Sequence, residues 1–95
     1  MISRRGLIAL LDAKKIDGDR RREAVMWFYV ARAAQWKSLE DVRKDFPSVD
    51  RVGAYLIFNV RHNRYRLIVK HVFPNPRLYV KAFLSHKEYD RYEFD

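Results

Sequence analysis

The sequence predicts an α+β fold, with N-terminal helices packed on one face of a small antiparallel sheet. In the first half, apolar residues recur at the spacing of an amphipathic helix; in the second half they alternate with period two. The segments between the second-half runs are short, which makes neighbouring strands hairpin partners and not crossover units. Helices first and strands after is the order of an α+β domain.

Leu7, Ile8 and Leu11 define the apolar stripe of a first helix. Asp17-Gly18 is a turn signal, and Asp19 is placed to cap a second helix. That helix runs through Val25, Phe28, Ala31, Ala34 and Gln35, with Trp27 and Val30 widening its apolar face. Arg20, Arg21 and Arg22 stand in its first turn, where cations oppose the helix dipole. They read first as a solvated charged end, and alternatively as a face for phosphate. Trp36 reads as core. Ser38-Leu39-Glu40-Asp41 resembles a capping box, with Asp in place of Glu or Gln, and opens a short helix through Val42 to Phe46 that Pro47 stops. Strands follow at Tyr55–Val60, Tyr65–Val72 and 77–84. Arg61-His62-Asn63-Arg64 and Phe73-Pro74-Asn75-Pro76 form the turns, and a short helical segment is expected over 86–92. With no repeat and no linker, residues 1–95 read as a single domain.

The 95 residues include 20 Lys+Arg against 12 Asp+Glu, a formal net charge of +8. The 48% hydrophobic and 15% aromatic content supplies a core, so the chain is not a disordered tail. Without cysteine there is no disulfide scaffold, thiol nucleophile or Cys-ligated metal, which suits a reducing cytoplasm. No apolar run approaches the ~20 residues that span a bilayer, so no membrane role is expected. Strong positive charge favours a polyanion such as nucleic acid.

Alternation sorts the strand residues by face. Tyr65, Leu67, Val69 and His71 share one face of the second strand; Arg64, Arg66, Ile68 and Lys70 share the other. In the third strand Leu78, Val80, Ala82 and Leu84 are expected to face the core, leaving Tyr79, Lys81, Phe83 and Ser85 opposite. The second sheet face would then interleave cations with aromatic rings, either as an uncovered face meeting water or as a surface for single-stranded nucleic acid.

There is no glycine-rich phosphate loop, metal-ligand spacing of histidines or nucleophile elbow, and no cofactor is expected. RNA carries its own nucleophile, the 2′-hydroxyl. An enzyme need only assist its deprotonation, stabilise the phosphorane and protonate the 5′-oxygen. Arg66, Lys70, His86 and Tyr89 are suitable side chains within a short stretch. Taken singly, each also has a structural reading, such as Tyr89 anchoring the C-terminal segment.

Three segments raise the functional reading together. They are Trp36-Lys37-Ser38-Leu39-Glu40-Asp41-Val42-Arg43-Lys44-Asp45-Phe46, Phe58-Asn59-Val60-Arg61-His62-Asn63-Arg64-Tyr65-Arg66-Leu67, and Ser85-His86-Lys87-Glu88-Tyr89-Asp90. In this order and spacing they resemble the HigB toxins of bacterial type II toxin–antitoxin systems, within the RelE/ParE-like group. The resemblance implies a RelE-like toxin domain that acts as a ribosome-dependent mRNA endoribonuclease, an mRNA interferase. It also implies a HigA-like helix-turn-helix antitoxin partner, through which alone operator DNA would be engaged. Its motifs fall on Asn63, Tyr65 and Arg66, and on His86, Tyr89 and Asp90. Lys70 joins Arg66 by sharing its strand face. Arg66 and Lys70 are then expected to stabilise the phosphorane, with His86 or Tyr89 as base or acid. Asn59, His62, Asn63, Arg64, Tyr65, Lys81 and Asp90 are expected to contact RNA. His62 stands where the family usually has Gly, and Ser85 where it has Thr. The same scaffold also carries gyrase-inhibiting toxins, and a non-catalytic RNA- or ribosome-binding module is a further alternative.

Overall fold

Helix α1 spans Arg4–Ala13, α2 Gly18–Ala34 and α3 Leu39–Asp45. Among the described residues four strands follow, β1 Asp50–Val52, β2 Tyr55–Val60, β3 Tyr65–Val72 and β4 Asn75–Ser85, and then helix α4 over His86–Asp90. This computed structural model describes residues 4–60 and 64–94, with the backbone alone at 75–77. The sheet has order β1-β2-β3-β4, every neighbouring pair antiparallel. The α+β fold expected from the sequence is therefore the observed one.

Local chemistry explains the helix ends. Asp17 and not Asp19 occupies the N-cap of α2, and its side chain makes no capping bond. Asp19 lies inside the first turn, where it pairs with Arg22. Ser38 caps α3 by accepting from the Asp41 amide at 3.2 Å. Asp41 reaches back one residue further than a capping box would and accepts from the Lys37 amide at 3.1 Å. The Arg20, Arg21 and Arg22 triplet is tied down internally. Arg20 pairs with Asp17, Arg21 with Asp12 at 2.8 Å, and Arg22 with Asp19.

Strand β1 was not expected. It is three residues long with every residue exposed, and it enters β2 through Gly53-Ala54, where Gly53 takes φ 57°. An L side chain is disfavoured at that angle, so the tight turn calls for glycine.

The main core lies between the helices and one sheet face. Leu7 and Leu11 of α1, Ala24, Trp27, Phe28 and Ala31 of α2, Trp36 and Val42 pack there against Leu56, Phe58, Val60, Leu67, Val69, Leu78 and Phe83. Trp36 stacks on Phe58 with ring centroids 5.9 Å apart, and Phe46 meets both rings edge-on. Such ring contacts add about 0.5–1.5 kcal/mol each beyond burial. The Trp36 indole N–H donates to Asp45 Oδ2 at 2.9 Å, so its polar atom is satisfied.

The other sheet face corrects the expected alternation. Pairing passes from Ile68↔Ala82 directly to Val69↔Val80, leaving Lys81 as the extra residue of a β-bulge. One extra residue reverses every side chain beyond it. Phe83 therefore lies in the main core, while Ala82 and Leu84 turn to the opposite face. There they join Tyr55, Ile57 and Ile68 in a second, smaller cluster that Tyr89, Tyr92 and Phe94 cover. The second face is thus partly an apolar layer under the C-terminal segment, and not an open field of cations and rings. Helix α4 stops at Asp90, two residues short of the expected 86–92.

Candidate active site

The site forms where β4 ends and α4 begins. Arg66, the second residue of β3, faces Asn59 of β2 on one side and Leu84 of β4 on the other. Directly after Leu84 the chain turns into α4 through a complete capping box. The Glu88 amide donates to Ser85 Oγ at 3.2 Å, and the Ser85 amide donates to Glu88 Oε1 at 2.9 Å. A helix of five residues has little stability of its own, so its place is set by such contacts. The His86 amide adds another by donating to the Arg64 carbonyl at 3.0 Å.

These contacts put three functional groups together. The Arg66 guanidinium carbon lies 5.5 Å from the centre of the Tyr89 ring, a cation–π geometry. Arg66 Nη1 also donates to the Tyr65 carbonyl at 3.3 Å. Tyr89 packs on the second apolar cluster, edge-on to Phe94. One turn of α4 places His86 Nε2 3.9 Å from Asp90 Oδ2, with both side chains 62% exposed. That separation allows an ion pair when the imidazole is protonated but is longer than a hydrogen bond. An accessible imidazole, a phenol and a guanidinium therefore sit at one end of the sheet, beside a carboxylate.

The remaining candidates are distributed. Lys70 shares the face of Arg66 but lies four residues along β3, about 13 Å away. Buried Ile68 stands between them, and Lys70 pairs across the sheet with Tyr55 and Tyr79. Asn59 is next to Arg66 and donates from Nδ2 to the Ser48 carbonyl at 3.4 Å, while its Oδ1 is buried without a hydrogen bond. Tyr65 faces the opposite way. Its ring stacks on Phe83, and its hydroxyl accepts from Arg20 Nη1 at 2.7 Å. That hydroxyl, more than Asp17, raises the Arg20 pKa further above its already high value. Arg64 and Tyr65 line a cleft of about 340 Å³ with Asp17, Gly18, Asp19 and Arg20. Lys81 is exposed at the bulge. His62 and Asn63 lie outside the described residues.

Sequence reasoning missed one pair altogether. Lys14, just past α1, donates from Nζ to both carboxylate oxygens of Glu88, at 2.8 and 2.7 Å. Lys14 first, and the Ser85 amide second, hold the Glu88 carboxyl below its ordinary pKa. The two residues are 74 positions apart, and no local pattern links them.

A small basic α+β domain with an Arg, His and Tyr cluster at the sheet end carries groups suited to acid–base chemistry on an anionic substrate. The chain matches the HigB toxin family, described as the RelE-like toxic component of a toxin–antitoxin system, over residues 21–92, and it belongs to that family. Among its relatives are the mRNA interferase toxin HigB of Escherichia coli K12 and the mRNA interferase HigB of Shigella flexneri. Each is 28% identical over 85 residues, covering 86% of this chain and 82% of the relative. A toxin of such a system implies an antitoxin partner. Among the described residues, no helix is long and apolar enough to cross a membrane.

Proposed function

We propose that this toxin is an mRNA interferase, an endoribonuclease that cuts translated messages on the ribosome in the cytoplasm. One RelE-like domain over residues 1–95 carries the activity. The observation behind the reading is the juxtaposition of Arg66, Tyr89, His86 and Asp90 in a HigB-family chain whose relatives bear the name mRNA interferase.

The reaction uses the substrate's own 2′-hydroxyl. A base, His86 or Tyr89, takes its proton, and the 2′-oxygen attacks the adjacent phosphorus. The bond to the 5′-oxygen breaks, and an acid of the same pair supplies that oxygen with a proton. Arg66 faces the extra negative charge of the phosphorane, where fixed cationic donors are worth most. Lys70, farther along β3, neutralises charge on the same RNA strand away from the reacting phosphate. Asp90 orients His86. Asn59, Arg64, Tyr65 and Lys81, with His62 and Asn63, hold the bound strand. A HigA-like helix-turn-helix antitoxin neutralises the toxin and alone brings it to operator DNA.

Induced expression followed by mapping of mRNA 5′ ends tests this. Growth arrest with new ends inside translated reading frames is expected. Arrest with intact messages and broken or relaxed DNA would assign the chain to gyrase inhibition instead. Arg66→Ala should lower cleavage by about a hundredfold, the scale of removing one transition-state donor. If His86→Ala and Tyr89→Phe both cleave like the wild type, neither is the acid or base.

A further inference from the structure

We infer that Lys14 is a positioning residue for His86 and Tyr89, acting through Glu88; the inference rests on the RNA-cleavage reading above. Glu88 lies between the two candidate groups on a single turn of α4. Its carboxylate links that turn to Ser85 and to Lys14. Oε1 accepts from the Ser85 amide at 2.9 Å, and both oxygens accept from Lys14 Nζ. Lys14 is itself held by the body of the fold. Its amide donates to the Leu10 carbonyl at 3.2 Å. Leu7 and Leu11 anchor α1 in the main core, and Asp12 pairs with Arg21 of α2. A continuous path therefore runs from the core through α1 to the short helix that carries the acid and base groups. The low pKa of Glu88 agrees with a carboxylate held in its charged form.

A half-exposed ion pair contributes little to stability, whereas a misplacement on the order of 1 Å can cost a large factor in rate. The pair should therefore matter to turnover more than to folding. Glu88→Gln separates the two roles of this residue, because Gln still completes a capping box but cannot form the ion pair.

The test measures kcat and KM for cleavage of a synthetic message on bacterial ribosomes, together with Tm, using the full chain. Lys14→Met and Glu88→Gln should each lower kcat by about tenfold, with KM within about twofold and Tm within a few degrees. The double variant should be no slower than either single one, and Lys14→Arg should recover most of the rate. Wild-type kcat in either single variant overturns the inference. So does a raised KM confined to Lys14→Met, which would make Lys14 an RNA contact. Additive losses in the double variant, or Tm losses that account for the rate, overturn it as well. Failure of the wild type itself to cleave overturns the functional reading and this inference together; wild-type cleavage with unaffected variants overturns this inference alone.

Discussion

His71 shows how one residue can serve the fold while looking like a candidate for chemistry. It is 8% exposed at the end of β3 away from Arg66, and its ring stacks on Phe73 with centroids 4.3 Å apart. Burial first, and the charge of Arg51 second, lower its pKa below the ordinary 6.5. The neutral ring is then the folded form. Between the two pKa values the unfolded chain binds more protons than the native one. The contribution of His71 to stability is therefore full above about pH 6.5 and is lost as pH falls through the lowered folded value. Tm of the wild type should drop between pH 7.5 and pH 5, and His71→Leu should flatten that drop. Equal slopes for the two proteins would remove His71 from the acid sensitivity. In the sequence, His71 could be placed on the core-facing side of β3 by alternation, and it is there.

Element by element, legibility followed the strength of local pattern. Strands β2 and β3 were readable to their end residues because each is a dense β-branched and aromatic run between turn signals. Strand β1 was not, since three exposed residues that include Asp50 and Arg51 carry no periodicity. Arg66, His86, Tyr89 and Asp90 could be named from motif spacing, and their meeting at one end of the sheet is a tertiary fact. Alternation puts Lys70 on the face of Arg66, but a shared face says nothing of distance along a strand. The capping box of α4 could be seen as a Ser-x-x-Glu pattern, yet its partner Lys14 could not. Ser85→Ala removes the hydroxyl that accepts from the Glu88 amide and should cost about 1 kcal/mol. Chemical denaturation would show this as a lower midpoint with an unchanged slope; an unchanged midpoint would mean that Lys14 and the His86 amide hold α4 without it.

At the scale of the whole molecule, two apolar layers share one sheet. Helices α1 to α3 cover the larger, and the C-terminal residues Tyr89, Tyr92 and Phe94 cover the smaller. Phe94 touches Tyr55, Tyr89 and Tyr92. Phe94→Ala should therefore lower stability by about 1–2 kcal/mol, as expected for a half-buried ring, and should expose apolar surface that a fluorescent hydrophobic dye detects. Both layers draw on β4, which gives Leu78 and Phe83 to one and Ala82 and Leu84 to the other. It can do so because Lys81 has no partner in β3. Position 81 is thus a residue that the ladder steps over. Lys81→Gln should leave Tm nearly unchanged, so any loss of RNA affinity it causes reads the charge alone. Deleting Lys81 should leave the protein folded, because Val80 and Ala82 would then stand side by side opposite Val69 and Ile68, and Phe83 and Leu84 would keep their layers while the bulge is lost. A collapse of Tm would show instead that the bend the bulge gives β4 is itself required.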